Sequence, residues 1–174
     1  MKTLVVITHP NIDSAKVNRA WLQEIKKHPD SITAHELYRK YPDGKITDVA
    51  GEQALVDAHD NLIFQFPMYW FSSPPLLKQW LDDVFAHGWA YGSKGHKLQG
   101  KKFGIAVSMG SGMDYYAKEY GIEGLLVPFR ATAHFVGMDM QRTFMFFGGF
   151  SPSEESLQES ASQYIEYIKN IGKD

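Results

Sequence analysis

The sequence contains no cysteine, and that absence excludes disulfide scaffolds, thiolate metal sites and thiol nucleophiles. It also lacks an excess of either charge, with 18 lysines and arginines against 20 aspartates and glutamates. A net charge of −2 provides no basic surface of the kind that binds nucleic acid. The two histidines of the central glycine-rich segment, His87 and His96, do not have the spacing of metal ligands. We therefore expect neither a metal site nor a nucleic-acid partner.

Long apolar runs and low-complexity segments are missing as well. No run approaches the roughly 20 apolar residues that span a bilayer. The first ten residues, MKTLVVITHP, do not include the cleavage region of a signal peptide. We therefore expect a cytoplasmic protein. At 174 residues the chain is long enough for a full core, and we expect residues 1–174 to form one domain.

Short apolar segments alternate along the chain with amphipathic helical patterns. The predicted strands are Thr3–Ile7, Ser31–Leu37, Asn61–Phe66, Lys102–Ser108 and Met138–Phe147. Capping residues precede several of the predicted helices, so we expect helix N-caps at Asp13 or Ser14, at Ser72 or Ser73, and at Ser151. This order predicts an α/β, flavodoxin-like three-layer sandwich. Its five-stranded parallel sheet would have the order 2-1-3-4-5, with helices on both faces.

The third predicted strand runs into an unusual turn. Pro67 and Met68 are followed by three consecutive aromatic residues, Tyr69, Trp70 and Phe71, where a strand-to-helix loop is usually small and polar. The carboxyl ends of parallel strands are where open α/β sheets bind ligands. A flat ligand that stacks on these rings is one interpretation. The other is that the rings belong to the core or to a subunit interface.

The first strand leads to the segment 9–18, which opens a helix. The free N–H groups of the helix start, with Ser14 and Asn18, offer an anion site to which Lys16 or Arg19 would add charge. The segment has none of the glycines of a nucleotide-binding loop, so a nucleoside triphosphate is disfavoured. Simple capping of the helix is the alternative interpretation.

The fourth strand ends at Ser108-Met109-Gly110-Ser111-Gly112. Glycines let the backbone approach a ligand closely, and successive N–H groups can hold partial negative charge. The alternative is an ordinary turn at a strand end. Taken together, the three loops describe a site for flavin mononucleotide (FMN). The phosphate would lie at the first strand, the isoalloxazine over Trp70 and Phe71, and its polar edge against Gly110.

Six segments of the sequence also carry a resemblance to a known family. They are HPN…SAKVN at 9–18, LYRKYPD at 37–43, FQFPMYWFSSPPLLKQW at 64–80, FAHGWAYG at 85–92, AVSMGSG at 106–112 and PFRATAHFVGM at 128–138. The chain resembles the flavodoxin-like NAD(P)H dehydrogenase (quinone) family. Within it, the similarity is to the general stress protein 14 type and to the ancillary oxidoreductases of potassium efflux. The resemblance runs from residue 2 to about residue 150.

The resemblance implies a flavoenzyme, usually a homodimer, that oxidises NAD(P)H and passes two electrons to quinones or related electrophiles. FMN is the implied cofactor, with FAD open, and the choice between NADPH and NADH is open too. The implied cycle is ping-pong, with hydride passing from NAD(P)H to flavin N5 and then to the acceptor.

The family's site residues carry over position by position. The implied phosphate ligands are His9, Ser14 and Asn18. The implied isoalloxazine contacts are Pro67, Met68, Tyr69, Trp70 and Phe71, and the pyrimidine edge is approached by Ser108, Met109, Gly110 and Ser111. The implied catalytic groups are Tyr116 and Gly110, which stabilise charge on the reduced flavin. Where the family has a histidine beyond the glycine loop, this chain offers Glu119 or Glu123, so the resemblance does not extend to a proton relay.

Two other classes of function remain open from the sequence. One is a flavodoxin-type electron carrier, which is not an enzyme and works in single-electron steps. The other is a regulatory module that associates peripherally with a membrane potassium-efflux transporter. A receiver domain of the same fold is excluded, because the third strand ends at Phe66-Pro67 and not at a phosphoacceptor aspartate.

Overall fold

The computed structural model describes residues 1–119 and 121–173, and at Glu119 the backbone alone. Its strands are β1 (Thr3–Ile7), β2 (Ile32–Glu36), β3 (Asn61–Pro67), β4 (Lys102–Ser108), β5 (Asp139–Met140) and β6 (Phe144–Phe146). They pair in parallel, in the order β2-β1-β3-β4, with β5 and β6 both on the outer side of β4. The predicted sheet order is therefore confirmed.

The fifth predicted strand is divided into β5 and β6. Phe103 pairs with Met140, and Ala106 pairs with Phe144. Between these pairs the edge strand has one residue more than β4, which is the defining feature of a β-bulge. The Gln141 N–H still donates to the Phe103 carbonyl at 2.8 Å, so the two strands stay joined through the bulge.

The helices cover both faces of the sheet. They are α1 (Val17–Ile25), α2 (Leu37–Lys40), α3 (Val49–Asp57), α4 (Pro75–Val84), α5 (Met113–Glu119), α6 (Ile122–Leu125), α7 (Val127–Phe135) and α8 (Glu154–Asn170). A 3₁₀ turn, Ile12–Ser14, precedes α1.

Successive strand residues point to opposite faces, so each strand contributes to two cores. On one face Val5 and Ile7 pack with Trp21 of α1 and Tyr164 of α8. On the other face Leu4 and Val6 belong to a second core, to which α3, α4 and α7 also contribute. The helices thus form two layers around the sheet. Among the described residues, no helix has the length and apolar character needed to cross a membrane.

The predicted caps are wrong. Asp13 and Ser14 lie in the 3₁₀ turn, and Lys16 is the residue before α1. At α4 the N-cap is Pro74, and Pro75 takes the first helical position, where a missing N–H costs nothing. At α8 the cap is Ser153, whose Oγ accepts a hydrogen bond from the Ser156 N–H at 3.1 Å.

Candidate active site

The carboxyl ends of β1, β3, β4 and β6 meet along one edge of the sheet and enclose a cleft of about 510 Å³. This volume falls within the range of about 300–1,000 Å³ that is usual for small-molecule and cofactor sites. The cleft is lined by His9, Ser14, Ala15, Lys16, Val17, Asn18, Pro67, Met68, Tyr69, Trp70, Ser108, Met109, Gly110, Tyr116, Gly149 and Phe150. The structure thus brings the three predicted loops together, but it leaves Phe71 and Ser111 outside the lining.

Helix α1 begins at the floor of the cleft, and its first residues line it. The N–H groups of a helix's first turn have no acceptor within the helix, and the helix dipole adds partial positive charge there. The Lys16 side chain is exposed at the same end. The Ser14 hydroxyl is turned toward the chain itself and donates to the Asn11 carbonyl at 3.1 Å. This end of the cleft is therefore suited to an anion.

His9 follows β1 and is half-buried in the wall of the cleft. Burial lowers the pKa of His9, which favours the neutral imidazole. The Asn11 N–H donates to His9 Nδ1 at 3.1 Å, so a neutral His9 carries its proton on Nε2. The ring centroid lies 6.4 Å from that of Tyr69, in an edge arrangement. His9 therefore offers one N–H donor between the helix start and the aromatic turn.

A buried polar cluster ties α1 to β3 and β4 beside the cleft. Asn18 Nδ2 donates to Ser108 Oγ at 2.8 Å, and Gln65 Nε2 donates to the Asn18 backbone carbonyl at 3.1 Å. The Gln65 Oε1 and Thr8 Oγ1 atoms are buried and have no hydrogen-bond partner among the described residues. Since buried polar atoms are nearly always paired, these two leave hydrogen-bonding capacity unused next to the cleft.

The aromatic turn is a two-residue hairpin. Tyr69 and Ser72 exchange backbone hydrogen bonds of 2.9 and 3.0 Å, and the two residues between them have positive φ angles, 48° at Trp70 and 61° at Phe71. Such a turn normally contains Asn-Gly, because other residues are strained in this region. The turn leaves Trp70 94% exposed at the cleft. Phe71 instead approaches Tyr116, with ring centroids 6.5 Å apart.

The glycine loop after β4 presents Ser108, Met109 and Gly110 to the cleft. None of the described residues accepts a hydrogen bond from the Gly110 N–H, so a donor is available there. The Tyr116 side chain is buried, and its hydroxyl accepts from the Ser111 N–H at 3.5 Å. Ser111 is drawn away from the cleft because its carbonyl accepts the Gly148 N–H at 2.9 Å.

Of the two acidic residues at the position of the family histidine, Glu123 forms an ion pair with Arg130 of α7. The Glu119 side chain lies outside the described residues. Glu123 is not among the described residues that line the cleft.

A family described as having a flavodoxin-like fold matches residues 1–168 of the sequence. The chain belongs to this flavodoxin-like family. An uncharacterized NAD(P)H oxidoreductase of Bacillus subtilis, YdeQ, is 46% identical over 175 residues, which cover 98% of this chain and 88% of the relative.

Two solved structures are similar over almost their whole length. General stress protein 14 of Treponema denticola, solved in complex with FMN, is 44% identical with a TM-score of 0.90, covering 97% of this chain and 98% of that chain. An NADPH-quinone reductase of P. pentosaceus is 29% identical with a TM-score of 0.88, covering 99% of this chain and 100% of that one.

Sequence reasoning missed one wall of the cleft in this flavodoxin-like protein. Gly149 and Phe150, which follow β6, line it beside Lys16. The only sequence signal was the Gly148-Gly149 pair at the end of the last strand, which matches the glycines after β4. The predicted strand ended at Phe147, within one residue of the end of β6, so the sequence located the pair but did not indicate that it faces the cleft.

Proposed function

We propose that this protein is an FMN-dependent NAD(P)H oxidoreductase that passes two electrons to a quinone or a related electrophile. The observation that carries the proposal is the cleft, in which a helix start, an exposed aromatic turn and a glycine loop face one ligand-sized space. The NAD(P)H oxidoreductase of B. subtilis, the FMN complex of T. denticola and the quinone reductase of P. pentosaceus support it.

The chemistry of the donor set fits FMN part by part. The phosphate is suited to the start of α1, where backbone N–H groups, the exposed Lys16 ammonium and the His9 Nε2–H are all donors. The flat isoalloxazine is suited to Tyr69 and Trp70, whose rings are 39% and 94% exposed at the cleft. Its polar edge is suited to the Gly110 N–H.

The residues that would hold the flavin are those that line the cleft. His9, Ser14 and the first turn of α1 would bind the phosphate, once the Ser14 hydroxyl turns from the Asn11 carbonyl to the ligand. Asn18 would act differently from the prediction, because its amide already donates to Ser108. In our proposal it fixes the distance between the helix start and the glycine loop.

When bound, the flavin supplies reversible acceptance of hydride, which no side chain of this protein can supply. The protein's own groups bind and orient. Tyr69 and Trp70 would orient the isoalloxazine by stacking, and alignment of reactants is a large part of what such sites contribute. The Gly110 N–H and the Tyr116 hydroxyl are the groups that would stabilise the negative charge of the reduced flavin.

A visible spectrum of the purified protein, followed by anaerobic addition of NADPH, tests the proposal. We expect flavin absorption that bleaches completely in one phase and returns when a quinone is added. A protein that stays colourless after incubation with both FMN and FAD would overturn the proposal. A long-lived one-electron reduced form would instead favour the electron-carrier alternative.

We further propose that the protein is a homodimer. Phe135 and Val127 of α7 are 69% and 53% exposed, and Phe135 borders an apolar groove of about 660 Å³ between α4 and α7. Sedimentation equilibrium should give twice the chain mass of 19.8 kDa, and Phe135→Glu should shift the population toward the monomer. A wild-type protein that sediments as a monomer at tens of micromolar would contradict this.

Two further proposals concern where the protein acts and with what partner. We place the protein in the cytoplasm, where NAD(P)H is supplied, and cell fractionation would check this. Peripheral association with a potassium-efflux transporter stays a prediction of the resemblance, and co-purification from a membrane extract would test it.

A further inference from the structure

The segment Gly148–Phe150, here called the Phe150 loop, is fixed to the glycine loop after β4. The Gly148 N–H donates to the Ser111 carbonyl at 2.9 Å, the Gly149 N–H to the Met109 carbonyl at 2.8 Å, and the Phe150 N–H to the Gly110 carbonyl at 3.3 Å. A side chain at Gly149 would put its Cβ 3.1 Å from the Met109 carbonyl oxygen, so the two loops are in close contact. The backbone of the Phe150 loop is therefore a fixed wall.

The Phe150 ring lies on the face of Gly110. A Cβ added at Gly110 would come within 2.4 Å of the ring, although the ring itself is 76% exposed. It stands in the cleft without being buried by the protein. Lys16 Nζ donates to the Phe150 carbonyl at 3.2 Å and so joins this wall to the start of α1.

The Lys16–Phe150 contact lies between two cavities. On one side is the cleft, and on the other is a groove of about 970 Å³ between α1 and α8. The groove shares Ser14, Ala15 and Lys16 with the cleft, and Pro152, two residues after Phe150, lines it. Lys16 and the Phe150 carbonyl that it binds thus stand at the boundary that any ligand occupying both spaces must cross, and the Phe150 ring lines the cleft next to that boundary.

We propose that Phe150, held by Lys16, is a specificity-determining residue that makes the site accept a flavin mononucleotide and reject the dinucleotide. The inference rests on the proposed function. A mononucleotide ends at its phosphate, which the start of α1 would hold. A dinucleotide continues from that point through a second phosphate, a ribose and an adenine, and the adjoining groove is the space that can take them. The Phe150 ring and the Lys16 bridge close the way to it.

Binding of FMN and FAD to the flavin-free protein, measured by quenching of flavin fluorescence at one salt concentration, tests the proposal. The wild type should prefer FMN. In Phe150→Ala the ratio of the two dissociation constants should shift toward FAD by tenfold or more. Phe150→Leu, which keeps an apolar side chain of smaller size, should shift it in the same direction but less. Phe150→Tyr retains the ring and should retain the preference.

Lys16→Met tests the bridge separately. It should weaken the binding of both flavins, because a charge is lost. It should also bring the dissociation constants of FMN and FAD closer together. Lys94→Met, which removes an exposed lysine from a remote loop, is its matched control and should change neither constant.

Two results would overturn the inference while leaving the proposed function standing. One is a wild type that binds FAD as tightly as FMN. The other is a ratio that stays within twofold of the wild type in both Phe150→Ala and Lys16→Met. A wild type that binds neither flavin would overturn the proposed function itself, and the inference with it.

Discussion

At the scale of single residues, His9 is the side chain whose charge state bears most directly on the proposed phosphate site. Burial lowers its pKa in the free protein, so it is neutral at pH 7. A bound phosphate dianion would favour the protonated form and raise the pKa. Protons are therefore taken up on binding, and the affinity should increase as the pH falls through the interval between the two values.

We predict that His9→Ala weakens FMN binding by about 10- to 100-fold, which is the effect of losing one hydrogen bond to a charged group. It should also flatten the pH dependence between pH 8 and 5. Fluorescence titration of FMN at a series of pH values would measure both. The phosphate titrates in the same range, so the difference between the two proteins is the quantity to compare. If FMN affinity depended on pH equally in the wild type and the variant, His9 would not face the phosphate.

Glu52 of α3 is a second residue whose environment decides its role. It is fully buried, and its carboxylate accepts from His35 at 2.8 Å, Trp80 at 2.7 Å and Lys40 at 2.9 Å. The Tyr41 hydroxyl donates to it as well, at 2.8 Å. Burial alone would raise the pKa of this carboxyl, but the hydrogen bonds from His35, Trp80 and Lys40 outweigh it and hold the pKa at about 2. The cluster joins β2, α3 and the helix that follows the aromatic turn.

We predict that Glu52→Gln lowers the free energy of unfolding at pH 7 by about 2–3 kcal/mol, because the donors then meet a neutral amide. The pKa is depressed from its ordinary 4.5, so this stabilisation is complete above pH 4.5 and is lost as the pH falls toward 2. Urea denaturation across pH should show the two proteins converging in acid. Glu24→Gln, which removes a partly exposed ion pair with Lys27, is the control and should cost less than 1 kcal/mol. If the difference in the free energy of unfolding between the wild type and Glu52→Gln stayed constant down to pH 2.5, it would contradict the lowered pKa of Glu52.

At the scale of elements, the aromatic turn trades stability for a binding surface. Trp70 and Phe71 both occupy the left-handed region, which costs roughly 1–2 kcal/mol for each residue other than glycine. Trp70 recovers little of this by packing, since it is 94% exposed. Strain of this kind persists where the surrounding structure enforces it, and it clusters at functional sites.

We predict that replacing Trp70 and Phe71 together by Asn and Gly, the pair that suits this turn, raises the free energy of unfolding by about 1–2 kcal/mol. The same variant should bind FMN at least tenfold more weakly, because the stacking ring is gone. Trp70→Asn alone should give part of the gain in stability and most of the loss in FMN affinity. Chemical denaturation and flavin titration on the same samples would measure both effects. A double variant less stable than the wild type would show that the turn is not strained.

The elements that could be predicted from the sequence are those defined by burial. Four strands were placed within one residue at each end. Three of them, β1, β3 and β4, are covered on both faces and read as nearly continuous apolar runs, whereas the edge strand β2 was found by its loose alternation. The caps were missed because α1 and α4 begin after Lys16 and Pro74 and not after a serine, while α8 offers two serines at its start. The choice between Ser151 and Ser153, for example, depends on the path of the incoming chain.

The candidate site could be predicted only in part for a similar reason. The three loops were found because residue type marks them, by aromatics, glycines or a helix start. Phe150 was missed because its position depends on the backbone hydrogen bonds that join the Phe150 loop to the glycine loop after β4, and composition does not reveal such pairing. Phe71 was placed in the lining because a sequence does not show which way a two-residue hairpin directs its second side chain.

At the scale of the whole molecule, the cleft lies where four strand ends from both sides of the sheet's centre converge. The buried Gln65 Oε1 and Thr8 Oγ1 atoms without partners and the strained turn both lie at this edge. The free protein therefore leaves its least favourable contacts beside the proposed site. A ligand that fills the cleft joins β1, β3, β4 and the Phe150 loop, so its binding should stabilise the entire domain.

We predict that FMN at 100 times its dissociation constant stabilises the fold by about 2.7 kcal/mol, the value that linkage gives for one site. For a domain of this length, each kcal/mol raises the melting temperature by about 2–4 °C, so a shift of roughly 5–10 °C is expected. Riboflavin, which lacks the phosphate, is the matched comparison and should give a clearly smaller shift at the same concentration. Differential scanning calorimetry of the flavin-free protein would measure both. Equal shifts for the two ligands would mean that the start of α1 does not bind the phosphate, whereas a large shift with FMN alone would locate the binding energy at that end of the cleft.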